Sequence, residues 1–355
     1  MNASLIIIGE YVASVASVSG GSAATITKVR ITTSVVNAPL RQFEPAIVRV
    51  SLTNVSREPL SLRIREGGLP HNVLVTVSSN WGQFKHDQWL QSKEPRNSDT
   101  VLGPGESTTG EMLIFFGVPT GFAFSDLANY QIEIAWAHAS GIEVSADPLT
   151  ARVFPGDEQT HALIEELSEF TYDYSGYDRD SIRKAHGDEF LVASRILAQI
   201  VRQDTPLGFE ANDTEKNTRL VNKLRELLEK YPDAVYAGYI ARYLGLVEIK
   251  SFEREISLAG FDERFAPPAE RRAHPAYVAA LKLLTDAAKA EVWPRTVAPA
   301  QLARLHAMAH EWDKADEVIS SLRTAYGNSG GNREADRLVS EVEMYRRKVS
   351  QTTGN

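Results

Sequence analysis

Residues 149–170 read LTARVFPGDEQTHALIEELSEF, and the change of period inside this stretch decides the fold. Leu149, Ala151 and Val153 alternate with more polar neighbours, the period of a half-buried strand. Phe154-Pro155-Gly156-Asp157 then interrupts strand and helix alike, because Pro lacks a backbone donor and Gly costs backbone entropy in either element. From His161 to Phe170 the apolar residues recur at helical spacing. A chain that switches period once reads as an all-β part followed by an all-α part.

Composition changes at the same point. Through Pro155 there are 11 Lys/Arg and 13 Asp/Glu, against 27 and 33 in the 200 residues that follow, so charge density roughly doubles. Val, Thr and Ser dominate before the break, and Ala, Leu, Glu and Arg after it. β-Branched residues suit a pleated surface, while straight-chain residues and Ala suit helices. At 355 residues, 43% hydrophobic and 24% charged, the chain is long and apolar enough for two to three domains with their own cores. The boundaries read as an N-terminal segment over 1–24, a β domain over 25–155 and a helical domain over 156–350.

Outward from the break, period-2 alternation recurs through the first part. Val48, Val50 and Leu52 share a face, as do Leu60, Leu62 and Ile64, then Val73, Val75 and Val77, then Met112, Ile114 and Phe116, then Tyr130, Ile132, Ile134 and Trp136. With Leu149–Val153 and a strand around Ile26–Val36, the spacing predicts seven strands, the number of an immunoglobulin-like sandwich. Turn chemistry separates them at Asn54–Pro59, Gly67-Gly68 with Pro70, Gly103-Pro104-Gly105 and Ser140-Gly141. Gln83–Thr100 breaks the pattern and reads as a long polar loop.

Glu44-Pro45 before Val48–Asn54, then Leu102-Gly103-Pro104-Gly105-Glu106-Ser107, then Tyr130–Ala137 together resemble bacterial immunoglobulin-like domains over about 110 residues. The Leu-x-Pro-Gly-Glu-Ser type of turn carries the likeness; Asn129-Tyr130 departs from the usual Gly-x-Tyr. The resemblance implies a fold and no activity.

After the break, amphipathic helices are expected at His161–Phe170, Asp188–Val201, Thr218–Lys230, Ala234–Ile249, Pro275–Ala290, Pro299–His310, Lys314–Tyr326 and Arg333–Lys348. Leu302-Ala303, His306, Glu311-Trp312-Asp313-Lys314-Ala315 and Ile319 resemble a tetratricopeptide unit, with Ala315 at the small position where two helices meet. Tyr231-Pro232-Asp233, Tyr236-Ala237 and Leu244-Gly245 resemble the end of one repeat and the start of the next. His306 stands where an aromatic is usual, no Pro follows Tyr326, and Lys250–Ala273 fits no repeat. The resemblance is to tetratricopeptide-like helical hairpins, not to a regular array.

Several residue sets bear on chemistry. Zero cysteines exclude disulfides, thiol catalysis and thiolate metal sites. A net charge of −8 with mixed signs argues against a nucleic-acid surface. His306 and His310 sit four apart on an expected helix, but the zincin order needs Glu between the ligands and here Glu311 follows them, so packing histidines are the plainer reading. Asp173, Asp178 and Asp180 lack the order of a calcium loop. Glu165, Glu166, Glu169, Asp188 and Glu189 read as solvated helix acids rather than paired catalytic carboxylates. Asn54-Val55-Ser56 is a glycosylation-type triplet. No residue is therefore assigned a catalytic or metal-binding role, and no cofactor is implied.

Binding residues are expected among the aromatics: Trp81, Phe84 and Trp89 at an edge of the sandwich, and Tyr174 and Tyr177 near the junction. The expected function is a non-enzymatic binding or scaffold protein that offers a sandwich surface and a helical groove to a protein or peptide. A glycan-active hydrolase or lyase, and a protease inhibitor working through a sandwich loop, stay open beside it. Apolar Leu5–Ile8 and Val12–Ala16, without a basic start, read either as a weak signal or as a first strand and linker. With the resemblance they imply an extracytoplasmic or envelope-associated protein, the cytoplasm being the alternative; no stretch reaches the ~18 apolar residues of a membrane span.

Overall fold

The computed structural model describes residues 28–65, 69, 72–80, 82–85, 97–117, 121–137, 143–175, 180, 184, 190–202, 214–258, 268–326 and 331–353. Strands come first and helices second. The strands are β1 (Val29–Val35), β2 (Leu40–Arg41), β3 (Ala46–Asn54), β4 (Leu60–Arg65), β5 (Val73–Ser79), β6 (Gly82–Lys85), β7 (Asn97–Leu102), β8 (Ser107–Ile114), β9 (Phe116–Gly117), β10 (Gly121–Phe122), β11 (Asn129–Ala137), β12 (Glu143–Ser145) and β13 (Leu149–Phe154). The helices are α1 (Glu158–Ser175), α2 (Leu191–Arg202), α3 (Thr214–Lys230), α4 (Ala237–Leu258), α5 (Pro268–Ala273), α6 (Pro275–Lys289), α7 (Val297–Met308), α8 (Trp312–Tyr326) and α9 (Gly331–Thr353). Among the described residues no helix is long and apolar enough to cross a membrane.

β3 is the centre of one antiparallel sheet, with β1 and β8 on its flanks and Val50 opposite both Thr33 and Gly110. A larger sheet runs β2-β13-β11-β5-β6, with β12 also on β11 and Ile132 opposite Val77. β2 joins β13 in parallel; β4 pairs with β7, and β9 with β10. Val48, Val50 and Leu52 from the first sheet and Val75, Val77, Ile132 and Ile134 from the second enter one buried cluster. The alternation predicts these inward faces because successive side chains point to opposite sides of a strand.

Two turns fix the ends of these strands. Gly105 has φ +80°, a left-handed conformation that costs a residue with a Cβ about 1–2 kcal/mol. Glu106 closes the turn: its Oε2 accepts from Gly103 N at 2.6 Å and its own N donates to Gly103 O at 3.0 Å. Asn54 is fully buried at the end of β3. Its Nδ2 donates to Glu58 O (2.8 Å) and Leu102 O (2.9 Å), while its Oδ1 accepts from Ser56 N and Ser56 Oγ. The glycosylation-type triplet is thus a turn clamp with its amide spent on the main chain.

The break at Pro155-Gly156 is packed. Asp157 Oδ1 accepts from Thr160 N at 2.7 Å, the N-cap bond of α1. A Cβ on Gly156 would lie 2.9 Å from the His161 ring and 3.1 Å from Gln42 O, so a larger residue would have to displace its neighbours. Phe43, Ile47, Leu113, Phe115 and Phe122 from the β part share a core with Leu163, Leu197, Tyr236 and Ile240 from the helical part. Phe43, Phe122, Phe115 and Tyr236 meet edge to face, and Tyr236 Oη donates to Phe43 O. Side chains of both parts pack across the break.

Other elements differ from expectation for local reasons. Both ends of Gln83–Thr100 are strand, in β6 and β7; residues 86–96 between them lie outside the described residues. The region 250–273 holds the last turns of α4 and the short α5. α7 stops at Met308 rather than His310, because His310 takes φ 59°.

Candidate functional site

α6, α7 and α8 enclose an open cleft of about 460 Å³. Small residues allow the helices this approach: Ala303, Ala307 and Ala315 are fully buried between α7 and α8. Gly245 of α4 lets α6 lie against it, since a Cβ there would meet Leu284 Cγ at 2.8 Å. Leu302, Val318, Leu322 and Tyr326 give the cleft apolar walls, with His306, Lys314 and Glu317 as its charged or titratable groups.

The polar end of the cleft follows from how α7 ends. Glu311 N donates to His306 O at 2.8 Å and His310 N to Ala307 O at 3.0 Å, with His310 in the left-handed region. That is the Schellman pattern, which sets the residue two beyond the cap against one turn back in the helix. The contact is usually apolar; here it is an imidazole against a carboxylate. His306 Nδ1 lies 2.8 Å from Glu311 Oε2. Tyr277 Oη of α6 donates to the same oxygen and stands 3.3 Å from His306 Nδ1. Lys314 Nζ reaches Glu311 Oε1 at 2.8 Å, and an Arg272 guanidinium nitrogen lies at 3.9 Å.

Electrostatics fix the state of this network. Burial alone pushes the Glu311 carboxyl up, but hydrogen bonds from Lys314, Tyr277 and His306 outweigh it and hold its pKa down to about 2. Burial, then the Glu311 charge beside it, pushes the Tyr277 phenol well up, so it stays a donor. An ionised carboxylate only accepts. His306 Nδ1 is therefore the donor of the pair. His306 is 7% exposed, lines the cleft, and has no partner for Nε2 among the described residues.

His310 faces away from this pair. Its ring stacks on Trp312 at 5.2 Å, and the Arg346 guanidinium lies over the Trp312 ring at 5.6 Å. Burial and Arg271 lower its pKa to about 4. His306 and His310 therefore do not share a helix face. Among the described residues no three His, Asp or Glu side chains are grouped so as to hold a metal.

The residues expected to bind are not brought together by any described contact. Trp81, Trp89 and Tyr177 lie outside the described residues. Phe84 is opposite Val77 on β6 and Tyr174 is in the last turn of α1, with the side chains of both outside the described residues. Of the acids, Glu166 is committed to Lys223 (3.4 Å), Lys230 and Tyr231 (2.7 Å), while Glu165 and Glu169 are exposed. Asp188 and Glu189 lie outside the described residues, as do Asp178 and the Asp173 side chain. The cleft was missed although Glu311 after His306 was in view, because reading the two histidines as one helix face hid the turn between them.

No family model matches the chain, and no curated protein matches it. Among solved structures it is similar to the sporulation control protein Spo0M of Bacillus subtilis, at 12% identity and a TM-score of 0.23, over 41% of this chain and 56% of that one. A β-glucosidase of Listeria innocua follows at 14% identity and a TM-score of 0.20, over 35% of this chain and 16% of the enzyme. β-Glucuronidase 2 of Bacteroides uniformis has 12% identity and a TM-score of 0.20, over 35% and 13%. The chain thus spans about half of the first and under a fifth of each glycosidase.

Proposed function

We propose that this chain is a non-enzymatic binding protein, an immunoglobulin-like sandwich joined to tetratricopeptide-like helical hairpins, and that its helical cleft takes a peptide segment of a protein partner. The observation that carries this is the cleft: about 460 Å³, apolar along Leu302, Val318 and Leu322, with a few polar groups at one end. Sites of that size, mostly apolar with few convergent polar groups, are the usual form of a ligand pocket. Grooves between helical hairpins offer such surfaces to extended or helical segments. The aromatic edge of Trp81, Phe84 and Trp89, with Tyr174 and Tyr177 at the junction, is a second contact surface in this reading. Placement outside the cytoplasm belongs to the same reading, and fractionation of cells producing the full chain checks it.

The test uses the full chain, because the strands and helices share a core. Peptides are selected from a displayed random library on the wild-type protein and then measured on Val318→Glu and Trp89→Ala variants. Selected peptides should lose at least tenfold in affinity on Val318→Glu. Selection of peptides indifferent to Val318→Glu, or of none, refutes the cleft as the site.

A further inference from the structure

The cleft is a track along a helix rather than a pit. Its α8 wall is made by Lys314, Glu317, Val318, Ser321, Leu322 and Tyr326. Steps of three and four residues put these side chains on one face of the helix. From Lys314 to Tyr326 that face runs about 18 Å at 1.5 Å per residue. Leu302 and His306, four apart on α7, line the facing wall. A groove between two such faces suits a third helix whose apolar residues recur at i, i+3, i+4 and i+7.

Charge narrows the choice of helix. Glu311 is matched within its own network by Lys314 and His306 at 2.8 Å and by Tyr277, with Arg272 at 3.9 Å. Thr285, on the α6 side, spends its hydroxyl on Leu281 O at 2.6 Å. Glu317 differs: it lines the cleft, is exposed, and among the described residues holds no hydrogen bond or ion pair. Lys314 stands one turn away and opposes a cation there, but its ammonium is held on Glu311 and is 58% exposed, so solvent screens it. The charge that the lining leaves uncommitted is therefore negative, next to the apolar Val318.

We propose that the cleft takes an amphipathic helix of a partner protein, which lays its apolar stripe between α7 and α8 and sets a Lys or Arg against Glu317. This rests on the reading of the cleft as a peptide site and adds the form and charge of the segment it selects.

The probes are two peptides of about 14 residues, four helical turns, with the same leucine stripe, flanked by lysines in one and by glutamates in the other. Titrated at low salt into full-length protein with labelled methyl groups, the lysine peptide should shift the resonances of Leu302, Val318 and Leu322. Its affinity should exceed that of the glutamate peptide by about fivefold, the scale of one exposed ion pair. The chain's net charge of −8 favours any cationic peptide, so the local contact is read on Glu317→Gln, an exposed change that leaves the apolar walls intact. There the preference should fall to about twofold or less. A central Pro in the lysine peptide should abolish binding, because it breaks the helix. Equal affinity of the two peptides on wild type, or a preference that survives Glu317→Gln, overturns the charge assignment while leaving the cleft as a site. Undiminished binding of the Pro peptide overturns the helical form. If neither peptide shifts these methyls at millimolar concentration, both readings fall. A concentration-dependent dimer that Val318→Glu dissolves would seat a second copy of this chain in the cleft and overturn the proposed occupant.

Discussion

Replacing Glu311 with Gln keeps the shape of the network and removes its charge. The Glu311 carboxyl sits at about 2 against an ordinary 4.5, raised by burial and lowered further by Lys314, Tyr277 and His306. At about 1.36 kcal/mol per unit, that shift sets an upper limit near 3 kcal/mol. Lys314 is 58% and Arg272 50% exposed, so solvent screens much of the attraction and about 1–2 kcal/mol remains. A carboxyl with a depressed folded pKa stabilises above its unfolded pKa and loses that contribution as pH falls through the folded one. Urea unfolding followed by helical circular dichroism should therefore place Glu311→Gln about 1–2 kcal/mol below wild type at pH 7. The gap should narrow between pH 4.5 and 2 as wild-type Glu311 takes up its proton. A gap that is absent at pH 7, or equally wide at pH 7 and pH 3, would refute the charge-centred account of the network.

His310→Asn should flatten the pH dependence of stability between 6.5 and 4, because wild-type His310 resists protonation in the folded state and the unfolded chain does not; urea midpoints across that window report it. Gly245→Val should lower stability by about 2–3 kcal/mol through overpacking against Leu284, read as a fall in Tm. Asn54→Ala should lose about 1–3 kcal/mol, since the buried Leu102 carbonyl and the part-buried Glu58 carbonyl lose their donor, and mass spectrometry of protein made in a glycosylating host should find Asn54 unmodified. Residues 1–155 produced without the helices should bind a hydrophobic dye and aggregate, because Leu113, Phe115 and Phe122 lose their cover.

Strands with one buried face were legible because burial on one side writes itself as alternation, as in Tyr130-Gln131-Ile132-Glu133-Ile134. β2, β9 and β10 are two residues long and too short to show a period, and β7 is polar along most of its length. The shared core left a signal that alternation hides: Met112, Leu113, Ile114 and Phe115 are all buried in succession. A continuous apolar run marks a strand covered on both faces. The expected face of Met112, Ile114 and Phe116 holds the sheet side in Met112 and Ile114 but leaves out Leu113 and Phe115, which face the helices. The same applies to Ala46-Ile47-Val48, where Ile47 joins the helices while its neighbours join the sheets. The cleft was less legible, since its polar end depends on His310 adopting φ 59°, a conformation that His announces far more weakly than the Gly or Asn usual at a helix stop.

That turn connects fold to recognition. Three residues separate α7 from α8, and the backbone bonds that end α7 set Glu311 against His306 whatever their side chains are. An apolar pair there would satisfy the turn equally well. An imidazole and a carboxylate instead bury two polar groups, which is tolerable only because Tyr277 and Lys314 complete the carboxylate's bonds. The carboxylate then fixes His306 Nδ1 as the donor of the pair and holds the ring against the end of α7.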